Sequence, residues 1–530
     1  MMNSKMKKLA LATGLALGGM SLIPSTQAMN LATDGLGQVL IFPYYTVNGG
    51  WTSLFNITNT SGNVVMAKVR FHESYNSRDV FDLNIVLSPL DVWNMWVADT
   101  GNGPAIFTED HSCTAGVIPA GGQPFDDGVN TFGTAAYTGA AADGGPITFQ
   151  RMNEGYVEVV MMATATLAPA GTPDTQALPR GAVHPNVPNG TPPGCAALRA
   201  AFTSTTTGYG ALQAQFPNYA GNPLKGSYNL VNGNLGLTAA GSPTTIANFR
   251  TTAYISQMLT VADAGLIFGD PAVGYTISFH EPSLNSGTTA AQVLNTNDVV
   301  LAGPAVPVDI GVAQVTYLLM RQQIINQWSR ITNPTNQWTT QSDWVVTFPS
   351  KAFYVDNQPA NEYSARFADR VPAVPGGPDA TDMPAPFGQF FDNSAAVAPA
   401  PTLRGRSCKA SPVQVRDREE YLFPGATFSP GQTQQLCYEA NTMTFNGSNI
   451  LNSATTSSVV FNPTFGDSGW MLLNLGTGVA AGDDVAGNSN LLGLPVIGFS
   501  ITRRDTGNGD LNEAFLVDHA YTRTTTPVGP

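Results

Sequence analysis

The chain reads as mainly β, with an immunoglobulin-like antiparallel sandwich at the N-terminus, a second β-rich unit, a few helices and long Gly/Pro-rich loops. Three observations predict this class. From Gly35 to Val97 apolar residues recur with period two in successive runs of strand length. Turn chemistry, as in Asn48-Gly49-Gly50 and the polar Asn59 to Asn63, separates the runs. The 530 residues include 54 Gly and 38 Pro, and 12% are charged, about half the ~25% of ordinary soluble domains.

The order of elements begins with an address. Lys5, Lys7 and Lys8 precede the apolar Leu9 to Met20, and Thr26-Gln27-Ala28 offers a small-residue cleavage site. Residues 1–28 therefore read as a Sec-type signal peptide, with the mature chain starting near Met29. The apolar run is too short to span a bilayer and is broken by Gly14, Gly18 and Gly19. No cysteine follows the cleavage site, so a lipid anchor is not expected. No later stretch approaches the roughly 20 apolar residues of a membrane helix. The Thr524 to Pro530 ending lacks the terminal aromatic strand of an outer-membrane barrel, so no membrane insertion is expected.

Length and composition divide the rest into an N-terminal β-sandwich region (29–356), a Pro/Ala-rich linker or excursion (357–411) and a C-terminal β-rich region (412–530). In the first, Val65, Ala67, Val69 and Phe71 alternate with Met66, Lys68, Arg70 and His72, and Phe81, Leu83, Ile85 and Leu87 repeat the pattern. Gln38 to Val47 is a strand that Pro43 places at an edge or at a bulge, because proline cannot donate to a ladder. Such an edge would be free to join a neighbouring subunit. Thr100 to Phe149 reads as a long loop, Gly155 to Met162 as a strand and Cys195 to Phe202 as a short helix. Tyr228 to Leu237 and Tyr275 to Phe279 read as strands and Ile246 to Leu259 as a helix. The best helical spacing runs from Asp309 to Arg330, with Asp309 as N-cap. Strands then follow at Trp344 to Phe348, Thr442 to Phe445, Ser458 to Phe461, Trp470 to Leu475, Pro495 to Thr502 and Glu513 to Tyr521.

Four cysteines in an exported chain predict two disulfides. Sequential pairing, Cys113 with Cys195 and Cys408 with Cys437, brackets two Gly/Pro-rich stretches. Without the three leader lysines the balance is 21 basic against 37 acidic residues, a net −16. That field repels phosphate backbones and anionic lipids, which excludes nucleic acid as a partner.

Chemistry-bearing motifs are partial. Gly466-Asp467-Ser468-Gly469 resembles a chymotrypsin-type nucleophile segment but continues with Trp470 and Met471, without a positioned histidine. Asp505-Thr506-Gly507 matches half of an aspartic-protease pair. His72-Glu73 and His280-Glu281 lack the second histidine of a zinc-protease helix and read as surface pairs. Asp505, Asn508, Asp510, Asn512 and Glu513 offer oxygens to a hard cation, yet the EF-hand spacing is not met and an acidic hairpin is expected. Trp93 and Trp96 would form a sugar platform if exposed, and core aromatics if buried. No phosphate-binding glycine loop or dinucleotide motif occurs, so no cofactor, catalytic or metal residues are assigned.

Five segments together carry a resemblance. They are Asp34 to Tyr45 (DGLGQVLIFPYY), Leu87 to Trp93 (LSPLDVW), Asp343 to Pro349 (DWVVTFP), Leu436 to Ala440 (LCYEA) and Leu494 to Phe499 (LPVIGF). Spread over nearly the whole mature chain, they resemble a family of uncharacterised exported or cell-surface proteins of proteobacteria. The resemblance implies an extracytoplasmic location, at the cell surface, in the medium or in the periplasm, and no activity. The expected function is that of a non-enzymatic surface or extracellular structural protein, a coat, filament subunit or adhesin. Its partners would be further copies of itself or other surface components. The alternative is a secreted hydrolase or carbohydrate-binding protein whose site is assembled from distant residues.

Overall fold

The computed structural model describes residues 28–116, 118–125, 145–169, 176–203, 207–256, 282–294, 300–302, 311–333, 338–353, 409–421, 433–460, 466–476, 489–491, 493–507, 512–523 and 525–527. The expected leader, Tyr275 to Phe279, His280-Glu281, Cys408 and most of the 357–411 stretch lie outside these residues. Among the described residues the chain is mainly β, built from several antiparallel sheets.

Seven strands pair in the order Asn30–Leu31, Thr244–Ala247, Val39–Thr46, Glu154–Ala165, Val64–Glu73, Asp79–Leu87 and Cys113–Ala115. Six more follow the order Leu237–Gly241, Leu224–Asn232, Thr52–Asn59, Val92–Asp99, Pro104–Phe107 and Gln123–Pro124. Period two decides which side chains meet. Val65, Ala67, Val69 and Phe71 from the first sheet share one apolar cluster with Phe55, Ile57, Trp93 and Met95 from the second. Edge-on aromatic contacts tighten it, with the Phe42 and Phe55 rings 5.1 Å apart.

Pro43 is explained by a bulge and not by an edge. Val39–Thr46 lies inside its sheet, between Thr244–Ala247 and Glu154–Ala165, and is buried throughout. The register with Glu154–Ala165 shifts between Gly155 opposite Tyr45 and Val157 opposite Phe42, which spares Pro43 from donating. Its carbonyl instead accepts the Thr347 hydroxyl at 2.7 Å. The expected subunit-joining edge is thus already occupied within the chain.

Other expectations are corrected by the same period. Part of the expected Thr100 to Phe149 loop is strand, at Pro104–Phe107, Cys113–Ala115 and Gln123–Pro124. The expected helix at Ile246 starts as the Thr244–Ala247 strand, which the β-branched Thr244, Thr245 and Ile246 favour, and remains non-helical to Ser256. The Tyr228 to Leu237 run divides at a turn, leaving Leu224–Asn232 and Leu237–Gly241 as a hairpin. The long helix keeps only Gly311–Leu319. Beyond it Gln323–Asn333 is a strand, because Ile324, Asn326 and Trp328 form one row against Ile325 and Gln327 and pair with Ser468–Asn474. The helix at Cys195–Thr203 and the strand at Glu154–Ala165 stand where the sequence places them.

Gln323–Asn333 and Trp338–Thr347 form a hairpin in a third sheet, with Lys409–Asp417, Ala440–Phe445, Ser468–Asn474, Ile497–Asp505 and Glu513–Asp518. The unbroken apolar run Trp344-Val345-Val346 signals a strand buried on both faces. Trp344 and Val346 join Trp328, Met443 and Met471 on one side. Val345 joins Tyr44, Tyr228 and Phe499 on the other. Both clusters draw residues from either side of the 357–411 stretch.

Candidate functional site

The second face of Val64–Glu73 carries Lys68, Arg70 and His72, which alternation alone would turn to solvent. Their exposures are 0%, 0% and 2%. The expectation that His72-Glu73 is a surface pair is therefore wrong, because the sheet is covered on both sides.

Register explains how the charges are housed. This cationic strand runs between two strands rich in acids, with Arg70 opposite both Glu158 and Asp82, and Lys68 opposite Asn84. Each cation leans one step along the neighbouring strand, a diagonal within reach of long side chains. The Lys68 ammonium sits 2.7 Å from Asp82 Oδ2, and the Arg70 guanidinium contacts Asp79. His72 Nδ1 lies 2.7 Å from Asp79 Oδ1, and its Nε2 is 3.6 Å from Glu158 Oε1. The His72 ring stacks on Tyr156 at 4.8 Å. Burial, with Glu158 and Glu439 nearby, pushes the Tyr156 phenol well above its ordinary value.

Glu73 closes the strand by organising the turn that follows. Its carboxylate accepts the backbone N–H groups of Tyr75 (2.6 Å), Asn76 (2.9 Å) and Arg78 (3.2 Å), and pairs with Arg151 Nη2 at 3.1 Å. Ser77 in this turn has φ 56°, a left-handed conformation uncommon for a residue with a side chain. Its hydroxyl lies 2.9 Å from the Tyr156 hydroxyl. The turn carbonyl of Ser74 accepts from Glu439 and Ala440, fastening it to the C-terminal region. Buried as they are, these ionisable groups act on each other and bind strand to strand.

Five further buried groups are each committed to a partner. Tyr44 donates to Glu154 Oε2 at 2.5 Å, and Glu154 also accepts the Ala454 N–H at 2.9 Å. Asp343 accepts the Ser448 hydroxyl at 2.6 Å and the Ile450 N–H. Lys351 Nζ donates to the Cys437 carbonyl at 2.6 Å, 4.0 Å from Glu439. His519 meets the Val345 carbonyl through Nε2 at 2.9 Å and the Asn326 amide through Nδ1 at 3.0 Å.

Burial pushes Glu439 up to about 8 and Asp343 up to about 6, and pushes His519 down to about 4. The carboxyls' contribution to stability is complete below their ordinary values and is lost as pH rises through about 6 and about 8. The contribution of His519 has the opposite sense, complete above its ordinary value and lost as pH falls through about 4. Glu439→Gln is therefore expected to gain roughly 3–4 kcal/mol on wild type between about pH 5 and about pH 8. Urea unfolding at both values checks this, and equal slopes for the two proteins would refute it.

A broad solvent-facing strand surface that carries an aromatic side chain lies on the other sheet of the first sandwich; among the described residues, exposed aromatics also stand on the third sheet, where Phe515 and Tyr521 are 43% and 49% exposed. Along Thr52–Asn59 and Val92–Asp99, Phe55, Ile57, Trp93 and Met95 point inward while Leu54, Asn56, Asn94 and Trp96 point outward. Trp93 is thus core, and Trp96 is a partly exposed surface residue. Trp96 stands opposite Phe107, with the two rings 5.5 Å apart and parallel within 9°. Gly122, at φ 84°, lets a turn lie on the Phe107 ring; a Cβ there would come within 2.3 Å of it.

The remaining motifs resolve as local structure. Ser468 opens a strand opposite Ser329, where Gly469 packs on the Arg416 carbonyl. Asp505 accepts the Gly507 N–H at 2.9 Å and pairs with Arg503 at 2.7 Å, and Asn512 accepts the Thr506 N–H at 3.2 Å, holding a hairpin turn. Asn508 and Asp510 lie outside the described residues. Among the described residues no three His, Cys, Asp or Glu side chains cluster to hold a metal ion. Cys113 and Cys195 are bridged, with Cα atoms 5.1 Å apart, and Cys437 is also disulfide-bonded.

Comparison with protein-family models, with curated proteins and with solved structures gives no match.

Proposed function

We propose that the chain is a non-enzymatic exported protein of the coat or adhesin kind, and that the outward face of the six-stranded sheet is its working surface. One contrast carries the reading. The ionisable side chains that the fold gathers are buried and joined to one another, whereas the outward face of Thr52–Asn59 and Val92–Asp99 is partly accessible, with the Trp96 ring stacked on Phe107 and amides that make no hydrogen bond among the described residues. The Cys113–Cys195 bridge is compatible with an oxidising compartment. No described helix is long and apolar enough to cross a membrane.

The test is topological. A short tag inserted in the exposed turn at Gly101 and Asn102 should be reached by antibody on intact cells or recovered from the medium. Finding the tag only after the cells are lysed would refute surface display.

A further inference from the structure

The structure assigns a ligand class to that outward face: we propose that it binds neutral polysaccharide, an inference that rests on the face being the working surface. Two parallel rows run across the strands. In one, Asn229 stands opposite Leu54, Leu54 opposite Trp96, and Trp96 opposite Phe107. In the next, Ser227 stands opposite Asn56 and Asn56 opposite Asn94. Strands ~4.8 Å apart make each row the length of a short oligosaccharide, and two residues along a strand set the rows ~7 Å apart. An apolar row thus borders an amide and hydroxyl row, matching a sugar chain that is apolar on its ring faces and polar at its edges.

The side chains on these rows are held in reserve. The Asn56, Asn94 and Asn229 amides make no hydrogen bond within the described protein, and neither does the Trp96 indole N–H. Several interior groups of the same kind are engaged, although the buried Trp93 indole N–H and Asn84 amide are not. Trp51, Trp328 and Trp344 each donate to a backbone carbonyl, at 2.9, 3.1 and 2.7 Å, and Asn59, Asn232 and Asn441 likewise. An amide offers donors and an acceptor together, which suits a hydroxyl that does the same. Indole adds an apolar body with one polar tip.

Charge selects among occupants. Neither row contains an ionisable residue, and the chain as a whole carries −13, which disfavours anionic polymers. A second copy of the same face would bring a rim that is acidic on balance, Asp99, Glu109 and Asp110 with Lys225, against its like and leave the amides to be desolvated. A neutral polyhydroxylated chain meets neither cost.

The experiment uses the purified mature protein in pull-downs on insoluble cellulose and chitin. Affinity electrophoresis through dextran and galactomannan, with alginate as the anionic comparison, complements them. Retention by at least one neutral polymer is expected, insensitive to salt. Trp96→Ala should weaken it about tenfold, the ratio carried by one good contact, and Asn94→Asp should weaken it without removing any core packing. Tyr421→Ala, at a distant residue that is 54% exposed, should leave it unchanged. Thermal melts of all variants exclude misfolding as the cause. Retention by alginate alone, or by none of the polymers, overturns the inference. If sedimentation then reveals a self-associated species that Trp96→Ala dissociates, the face remains the working surface and only the ligand class is wrong. If neither retention nor sedimentation responds to Trp96→Ala, both readings fall.

Discussion

Replacing Glu73 by alanine is expected to cost roughly 3–5 kcal/mol of folding stability, the range for breaking a buried ion pair by removing one partner. The substitution strips Arg151 of its carboxylate and leaves the N–H groups of Tyr75, Asn76 and Arg78 without their acceptor inside the fold. Urea unfolding measures the loss. Combining Glu73→Gln with Arg151→Met should recover part of it, because the second change removes the stranded charge. Losses that simply add across the two sites would show that the pair does not couple.

Removing the Cys113–Cys195 bridge by a paired Cys113→Ser, Cys195→Ser variant is expected to cost about 4.5 kcal/mol, the chain-entropy value for a loop of this size. The bridge closes 82 residues and ties the Cys113–Ala115 strand to the helix Cys195–Thr203. Arg199 adds a hydrogen bond to the Thr114 carbonyl at 2.7 Å, and Leu198, Phe202, Leu212 and Phe216 pack beneath the same sheet end. Limited proteolysis should therefore open the variant first between about residues 176 and 216. An unchanged unfolding midpoint in the variant would refute the stabilising role. Paired substitution is preferable to reductant because Cys437 is disulfide-bonded as well.

Much of the fold was legible because an apolar face on one side of a strand leaves a period-two trace, even where the other face is also covered. Val64–Glu73 and Asp79–Leu87 show it plainly, as do the strands at Ser468–Asn474 and Ile497–Asp505. The Gln323–Asn333 strand was hidden for a specific reason. Its apolar residues Ile324, Ile325 and Trp328 also fit helical spacing, and the cross-strand partners that decide between the two lie about 140 residues later, at Ser468–Asn474. The same distance problem hid the interior character of Val39–Thr46, whose flanking strands begin at Glu154 and Thr244.

The site was legible in fragments. Trp96 carried two opposed readings, and parity relative to Trp93 settles them, since residues three apart on one strand face opposite sides. The buried ionic array left a usable signal that sequence reasoning passed over. Lys68 and Arg70 stand in one strand and Asp79, Asp82 and Asn84 in the next, so a hairpin register brings opposite charges together. Alternation assigns such a polar face to water, and only the knowledge that something covers the sheet reverses it. That knowledge is tertiary, carried by elements far along the chain.

The strand Trp338–Thr347, with Val345 in one apolar cluster and Trp344 and Val346 in another, has a consequence for how heat takes the molecule apart. Neither cluster melts without exposing the wall it shares with its neighbour. A scanning calorimeter should accordingly record one endotherm, with calorimetric and van't Hoff enthalpies in agreement. Trimming the side chain at Val345 should move that single peak downward and leave it undivided.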